Sequence, residues 1–341
     1  MRSDSLDRWL IESCDPHPRP KQPGAELATS MLPSLFANAL KHATLGACLN
    51  SITKWDEVDF VVQDDDPLSR SKIIADYRLE HFKNIGFTLG LREVERRALQ
   101  ILAAKRIPCT VLKGSDFADR IYPAPSLRPF RDVDLMVHRE AFVEADRALQ
   151  EIGLQPHMPR RKYDAMDYGQ ISYFSEGEEQ WSVELHWNII NSPSQRQQCS
   201  LVWNDLQFLN QLGEFGNHLM TANSLLLVAA VHACIGHRFD SLQQLCDIRQ
   251  ICRGRAGTID AANLNEDCRR LRCSTSVRWA LEMLVDIFDC PHSNRLLNQT
   301  HLNTHASARF GLLNRRTVLH PQTTSSRLCR SVARWRLASA A

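Results

Sequence analysis

Lysine is scarce in this chain, with eight lysines against 33 arginines. The planar arginine fork suits carboxylate and phosphate recognition. No net field accompanies it, because 41 basic side chains meet 39 acidic ones for a formal charge of +2. Global charge therefore singles out neither a nucleic acid nor an anionic membrane as partner. The eleven cysteines are odd in number and form no Cys-x-x-Cys pair. That argues against a complete disulfide framework or a zinc ribbon and for reduced thiols in a cytoplasmic setting. A long apolar run is also missing. The longest, Leu225 to Ile235, is interrupted by His232 and falls far short of the ~20 residues that span a bilayer; it reads as a buried helix. Asp4 and Asp7 stand where a secretory signal would be basic and then apolar. No internal repeat is seen. What is present, 43% hydrophobic and 23% charged residues over 341 positions, describes a globular protein of one large or two small domains.

Along the chain, residues 1–24 read as a flexible leader, since Asp15 to Gly24 is crowded with proline. Residues 25–105 are helical in pattern, with Leu91, Val94, Ala98 and Leu102 spaced to line one face. The acidic run Asp64 to Asp66 before Pro67 reads as a solvated loop. Between 106 and 200 the period changes. Strands are expected at Pro108 to Leu112, Asp132 to Val137, Gln170 to Phe174 and Trp181 to Trp187, the last two joined by the polar turn Ser175 to Glu179. A short helix follows Gly114, and a longer one runs from Glu140 to a cap at Gly153. The order β-α-β-α-β-β predicts an α+β fold: a small mixed sheet with helices on one side, flanked by N-terminal helices and a C-terminal helical half over 201–290. Residues 291–341 hold eight arginines and no acid. This basic tail reads as a solvated or partly disordered extension, with contact to a nucleic acid or a membrane as the lesser alternative.

Side chains two apart in a strand share a face, so Asp132 and Asp134 present two carboxylates together while Val133, Leu135 and Val137 enter the core. Paired like charges call for a cation or an arginine. The pair reads as a divalent-metal ledge or as a plain strand entry. In the last strand Trp181, Val183, Leu185 and Trp187 alternate inward, leaving Ser182, Glu184 and His186 on the other face. Beside the Asp-x-Asp strand, Glu184 would complete a three-carboxylate cluster of the kind that holds metal for phosphoryl transfer; otherwise it faces water from a half-exposed hairpin. Lys113-Gly114-Ser115, where a strand turns into a helix, is a phosphate seat or a tight turn. Arg128 and Arg131 would clamp a triphosphate or offset the two aspartates. In the helical half, Asp247 would orient His237 as a general base or make a structural hydrogen bond between helices. Cys234, Cys246 and Cys252 read as packing residues.

Taken in order, Leu112-Lys113-Gly114, Tyr122-Pro123, Leu127-Arg128-Pro129-Phe130-Arg131-Asp132-Val133-Asp134-Leu135-Met136-Val137 and Val183-Glu184-Leu185-His186-Trp187 resemble the uncharacterised bacterial nucleotidyltransferase family of the polymerase-β-like superfamily. His232, His237, Leu242, Leu245, Asp247 and Ile248 continue the resemblance, which spans roughly residues 75 to 290. It implies a minimal nucleotidyltransferase core in which Asp132, Asp134 and Glu184 hold Mg²⁺ or Mn²⁺ and serve catalysis. It further implies that Lys113, Gly114, Ser115, Arg128 and Arg131 take the NTP, and that His186, His237 and Asp247 lie toward an unidentified acceptor. Two departures stand out: Ser115 lies further from Asp132 than is usual in the superfamily, and Glu184 replaces a common Asp. The leading function is transfer of a nucleoside monophosphate from an NTP to an acceptor hydroxyl, releasing pyrophosphate. A noncatalytic nucleotide- or partner-binding module on the same fold is the alternative. A metal-dependent glycosyltransferase ranks last, because the stretch upstream of Asp132 is helical rather than alternating β/α.

Overall fold

The computed structural model of the chain describes residues 2–17, 27–56, 67–157, 168–175, 181–197, 199–302 and 312–339. The Asp64–Asp66 run, the turn at 176–179 and the second half of the expected leader lie outside these. Three helices open the fold, α1 (Arg2–Ser13), α2 (Leu32–Lys41) and α3 (Leu45–Asp56), followed by α4 (Pro67–Ala104), 38 residues long. Leu91, Val94, Ala98 and Leu102 of α4 are all buried, as their spacing requires. The helix ends where Arg106 takes a left-handed conformation, and the chain then enters β1 (Cys109–Val111).

After β1 come α5 (Ser115–Arg120), β2 (Asp132–Val137), α6 (Phe142–Glu151), β3 (Leu154–Pro156), β4 (Gln170–Ser175), β5 (Ser182–His186), α7 (Pro193–Arg196), β6 (Phe208–Leu212) and β7 (His218–Met220). Gly153, at φ +85°, lets the chain leave α6 for β3. These strands form one sheet in the order β3-β4-β5-β2-β1-β7-β6, mixed in direction. The fold is α+β. The β6–β7 hairpin extends the sheet past the expected end of the core at residue 200; Phe208-Leu209-Asn210-Gln211-Leu212 lacks the alternation that marks a strand, and most of it faces outward. β3 is three residues long and was likewise not expected.

Alternation along the strands divides the interior. Val111, Val133, Leu135, Val183 and Leu185 pack with α4 and α6 on one face of the sheet. Leu112 and Met136 point the other way, into a second core shared by the N-terminal helices and by α8 (Ala222–Val231), α9 (Leu242–Cys252), α10 (Ala261–Arg270) and α11 (Ser274–Phe288). The functional side chains stand on this second face.

Two expectations are corrected here. Residues 2–13 are not a loose leader but a helix whose Trp9 and Leu10 are buried against the helical half. The basic segment is folded as α12 (Pro291–Gln299), α13 (Arg315–Leu319) and α14 (Thr324–Ser339), with Leu296, Leu302, Val318 and Leu319 in the same core. Composition misled because a sparse apolar set docks while Arg295, Arg315, Arg316 and Arg327 stay exposed and Arg330 is buried on backbone carbonyls. Among the described residues no helix is long and apolar enough to cross a membrane.

Asp15 ties the N-terminus to α9. Its buried carboxylate accepts from both terminal nitrogens of Arg253 at 2.7 and 2.6 Å and lies 3.0 Å from Arg249. Burial opposes its ionisation, yet Arg253 and Arg249 outweigh that and hold its carboxyl below the ordinary range. Asp15→Ala strands the buried charge of Arg249 and the partly buried one of Arg253, and urea denaturation at neutral pH is expected to show a loss of about 3–5 kcal/mol. A change under about 1 kcal/mol would mean that the cluster is solvated.

Candidate active site

The pairing of β2 with β5 builds the site. The two run parallel, with Asp132 opposite Ser182, Asp134 opposite Glu184 and Met136 opposite His186. Because each strand alternates, Asp134, Glu184 and His186 converge on one face, and one ligand atom from each lies within 4.8 Å of the others. His186 Nε2 sits 3.2 Å from Asp134 Oδ1 and 3.6 Å from Glu184 Oε2. From the end of β1, Lys113 Nζ comes 2.8 Å from Asp134 Oδ2 and 3.4 Å from Asp132.

Three carboxylates thus share a small volume, and the chain supplies its own cations. Burial opposes a charge on Asp134, but Lys113 and His186 hold its carboxyl far below the ordinary range. Asp132, with Asp134's charge beside it and partial burial adding to the effect, is raised. Burial works against a charge on His186 too, yet hydrogen bonds to Asp134 and Glu184 lift it to about 9. At neutral pH the imidazole is therefore cationic. Its Nδ1 is buried with no hydrogen-bond partner among the described residues. A divalent cation at Asp134 and Glu184 would take over the roles of the Lys113 and His186 charges, and His186 could join as a ligand once its proton left. The donor set, two carboxylates and an imidazole with Asp132 adjacent, fits a divalent metal ion.

Beside this cluster opens a cleft of about 580 Å³. Lys113, Gly114, Arg131 and Asp132 line it from the sheet side, His232 and His237 from the helical half, and Lys41, His81 and Asn84 from α2 and α4. Asp132 and Lys113 mark where cleft and cluster meet. Gly114 turns at φ +61°, a conformation that strains any other residue. The segment His232–His237 is wound as a π-helix, an irregularity common at functional sites. It brings the two imidazole rings to 4.5 Å and leaves His232, depressed by burial and by the Lys113 charge, uncharged.

A family described as uncharacterised nucleotidyltransferase matches residues 64–289. The chain belongs to that family. No curated protein matches it. The family match covers α4, the whole sheet and the helical half through α11, so every residue of the cluster lies within it, whereas Lys41 and the rest of α1–α3 do not.

Several side chains assigned to this nucleotidyltransferase core from sequence stand elsewhere than expected. Arg128 is buried, with Nε and Nη2 on the two oxygens of Asp247 at 2.8 and 2.7 Å and Nη1 on the Gly114 carbonyl at 3.0 Å. These donors brace the glycine turn against α9, and Arg128 and Asp247 together form part of the cleft wall. Asp247 also accepts from Tyr122 at 2.8 Å, so it does not orient His237. His237 instead lies 3.6 Å from Asp240. Ser115 is buried and donates to Glu95 of α4 at 2.5 Å, so its hydroxyl is no phosphate donor. Arg131 is exposed, lines the cleft and makes no hydrogen bond or ion pair among the described residues. His81, Asn84 and Lys41 carried no local signal: they sit in ordinary helical text and reach the cleft only because α2 and α4 pack over the sheet.

Two outcomes follow. Burial pushes Glu95 up to about 7 from an ordinary value near 4.5, so the folded chain keeps a proton that the unfolded chain gives up between these values. Stability is then full below the lower value and declines as pH rises to the higher one. Glu95→Gln should abolish that decline, on the order of 3 kcal/mol, in melts run across this window; parallel profiles for the two proteins would show that Glu95 ionises normally. Secondly, Lys113 competes with any cation for Asp134. Manganese titration followed by electron paramagnetic resonance should show tighter binding in Lys113→Met by about tenfold, roughly 1.4 kcal/mol, and loss of binding in Asp134→Asn; equal affinity in Lys113→Met and wild type would place the ion away from the lysine.

Proposed function

We propose that this protein transfers a nucleoside monophosphate from an NTP to an acceptor hydroxyl and releases pyrophosphate, using Mg²⁺ or Mn²⁺. The observation that carries the reading is the parallel register of β2 and β5, which sets Asp134 and Glu184 side by side with Asp132 at the mouth of a cleft. Membership of the nucleotidyltransferase family supports it.

In this reading Asp132, Asp134 and Glu184 hold the metal, with His186 as a further ligand. The bound ion would neutralise phosphate charge and hold the triphosphate in line for displacement. Lys113, displaced from Asp134, turns its ammonium to the phosphates. Gly114 gives close backbone approach, and Arg131, which has no ion-pair partner among the described residues, supplies a guanidinium at the cleft wall. The acceptor hydroxyl gives its proton to a carboxylate of the centre. Its oxygen then bonds to the α-phosphorus as the bond from that phosphorus to pyrophosphate breaks. Catalysis rests on positioning and charge rather than on a covalent intermediate. The acceptor enters from the side walled by His237 and the N-terminal helices.

Calorimetry with ATP, GTP, CTP and UTP, with and without Mg²⁺, tests the nucleotide half without knowledge of the acceptor. Wild type is expected to bind at least one of them in a metal-dependent way, and Asp132→Asn/Asp134→Asn to lose that binding. Binding indifferent to both metal and mutation would overturn the reading and leave a noncatalytic module on this fold.

A further inference from the structure

The N-terminal half of α4 packs inward through Ile73, Ile74 and Tyr77. Its opposite face carries Ala75, Leu79, Phe82, Gly86 and Leu89, alternately four and three residues apart, and all are exposed. Leu79, Phe82 and Leu89 are 57%, 64% and 61% accessible, which is unusual for three large apolar side chains on one stripe. The spacing is that of a coiled-coil seam. A Cβ built on Gly86 meets nothing within 4 Å, so a second backbone can approach closely there.

The charges beside the seam say what covers it. Lys72 and Asp76 lie on the N-terminal side of Phe82, and Lys83 and Glu93 on the C-terminal side, all exposed. In an antiparallel pair of identical helices crossing between Leu79 and Phe82, Asp76 comes close to Lys83 of the other copy and Lys72 lies within reach of Glu93. Both pairings share a centre within one helical turn, a match the long side chains can span. In a parallel pair each charge would face its own like. Within one chain Lys83 already contacts Glu80 and Glu93 contacts Arg96, but these are exposed pairs of small worth that can be exchanged. We propose that the exposed seam of α4 is the interface of a two-fold homodimer, in which Phe82 anchors the centre and the Asp76–Lys83 pairs set the antiparallel direction.

Sedimentation of the full chain at micromolar concentration tests this. Wild type is expected to sediment as a dimer. Phe82→Glu should raise the dissociation constant roughly 30-fold, as loss of a central aromatic anchor does. Asp76→Lys should weaken the dimer by setting two lysines together, and Asp76→Lys/Lys83→Asp should restore it. Because these positions are exposed, the far-ultraviolet circular dichroism of the folded chain should be unchanged, which separates loss of pairing from loss of fold. A monomeric wild type, a dimer indifferent to Phe82→Glu, or failure of the double reversal to rescue would each overturn the proposal. None of these outcomes depends on nucleotide binding.

Discussion

Crowding three carboxylates onto one face of a sheet is the constraint around which the rest of this molecule is arranged. Asp134 is almost fully buried, and an isolated buried carboxylate would simply take up a proton. Here Lys113 and His186, each within hydrogen-bonding reach, keep it ionised. The compensation is built into neighbouring strands: the lysine follows β1, the histidine lies two residues beyond Glu184 on β5, and β2 runs between them. Charge balance without a metal and readiness for one therefore come from the same side chains.

A second constraint holds the glycine turn that follows β1. Arg128, Asp247 and Tyr122 form a buried network that joins the Gly114 carbonyl to α9. A buried pair of this type gives little net stability, since desolvation offsets much of the attraction. Its effect is geometric. The planar guanidinium satisfies a carboxylate and a carbonyl in fixed directions, and so locks the helical half against the sheet. Asp15 with Arg249 and Arg253 repeats the device toward the C-terminal end of α9. Helix α9 is thus pinned from two sides by arginine–aspartate pairs, which explains why polar residues occur in otherwise apolar helical text.

Local pattern was a good guide wherever one face alone decided the outcome. The stripe from Leu91 to Leu102, the alternation of β2 and β5, and the glycine after α6 each follow from near neighbours, and each stands where it was expected. It was a poor guide where distant chain supplied the partner. The β6–β7 hairpin is short and outward-facing, so it shows no alternation, and only its parallel contact through Thr110 and His218 makes it part of the sheet. Trp9 and Leu10, or Val318 and Leu319, are too few to announce a core by themselves, and they are buried because the helical half offers them a surface.

The amino-acid sequence by itself determined which side chains share a face: Asp132 with Asp134, and Glu184 with His186, because the period of a strand is two and does not depend on context. It also determined that Gly114 turns a strand into a helix. Tertiary structure decided which faces meet. Register placed Asp134 beside Glu184, Arg128 found Asp247 across more than a hundred residues, Ser115 was drawn to Glu95, and α2 and α4 brought Lys41, His81 and Asn84 to the cleft. The physical reason is the range of the interactions. Periodicity is written into consecutive residues, whereas the pairing of a buried charge depends on whichever opposite group the packed cores deliver to it.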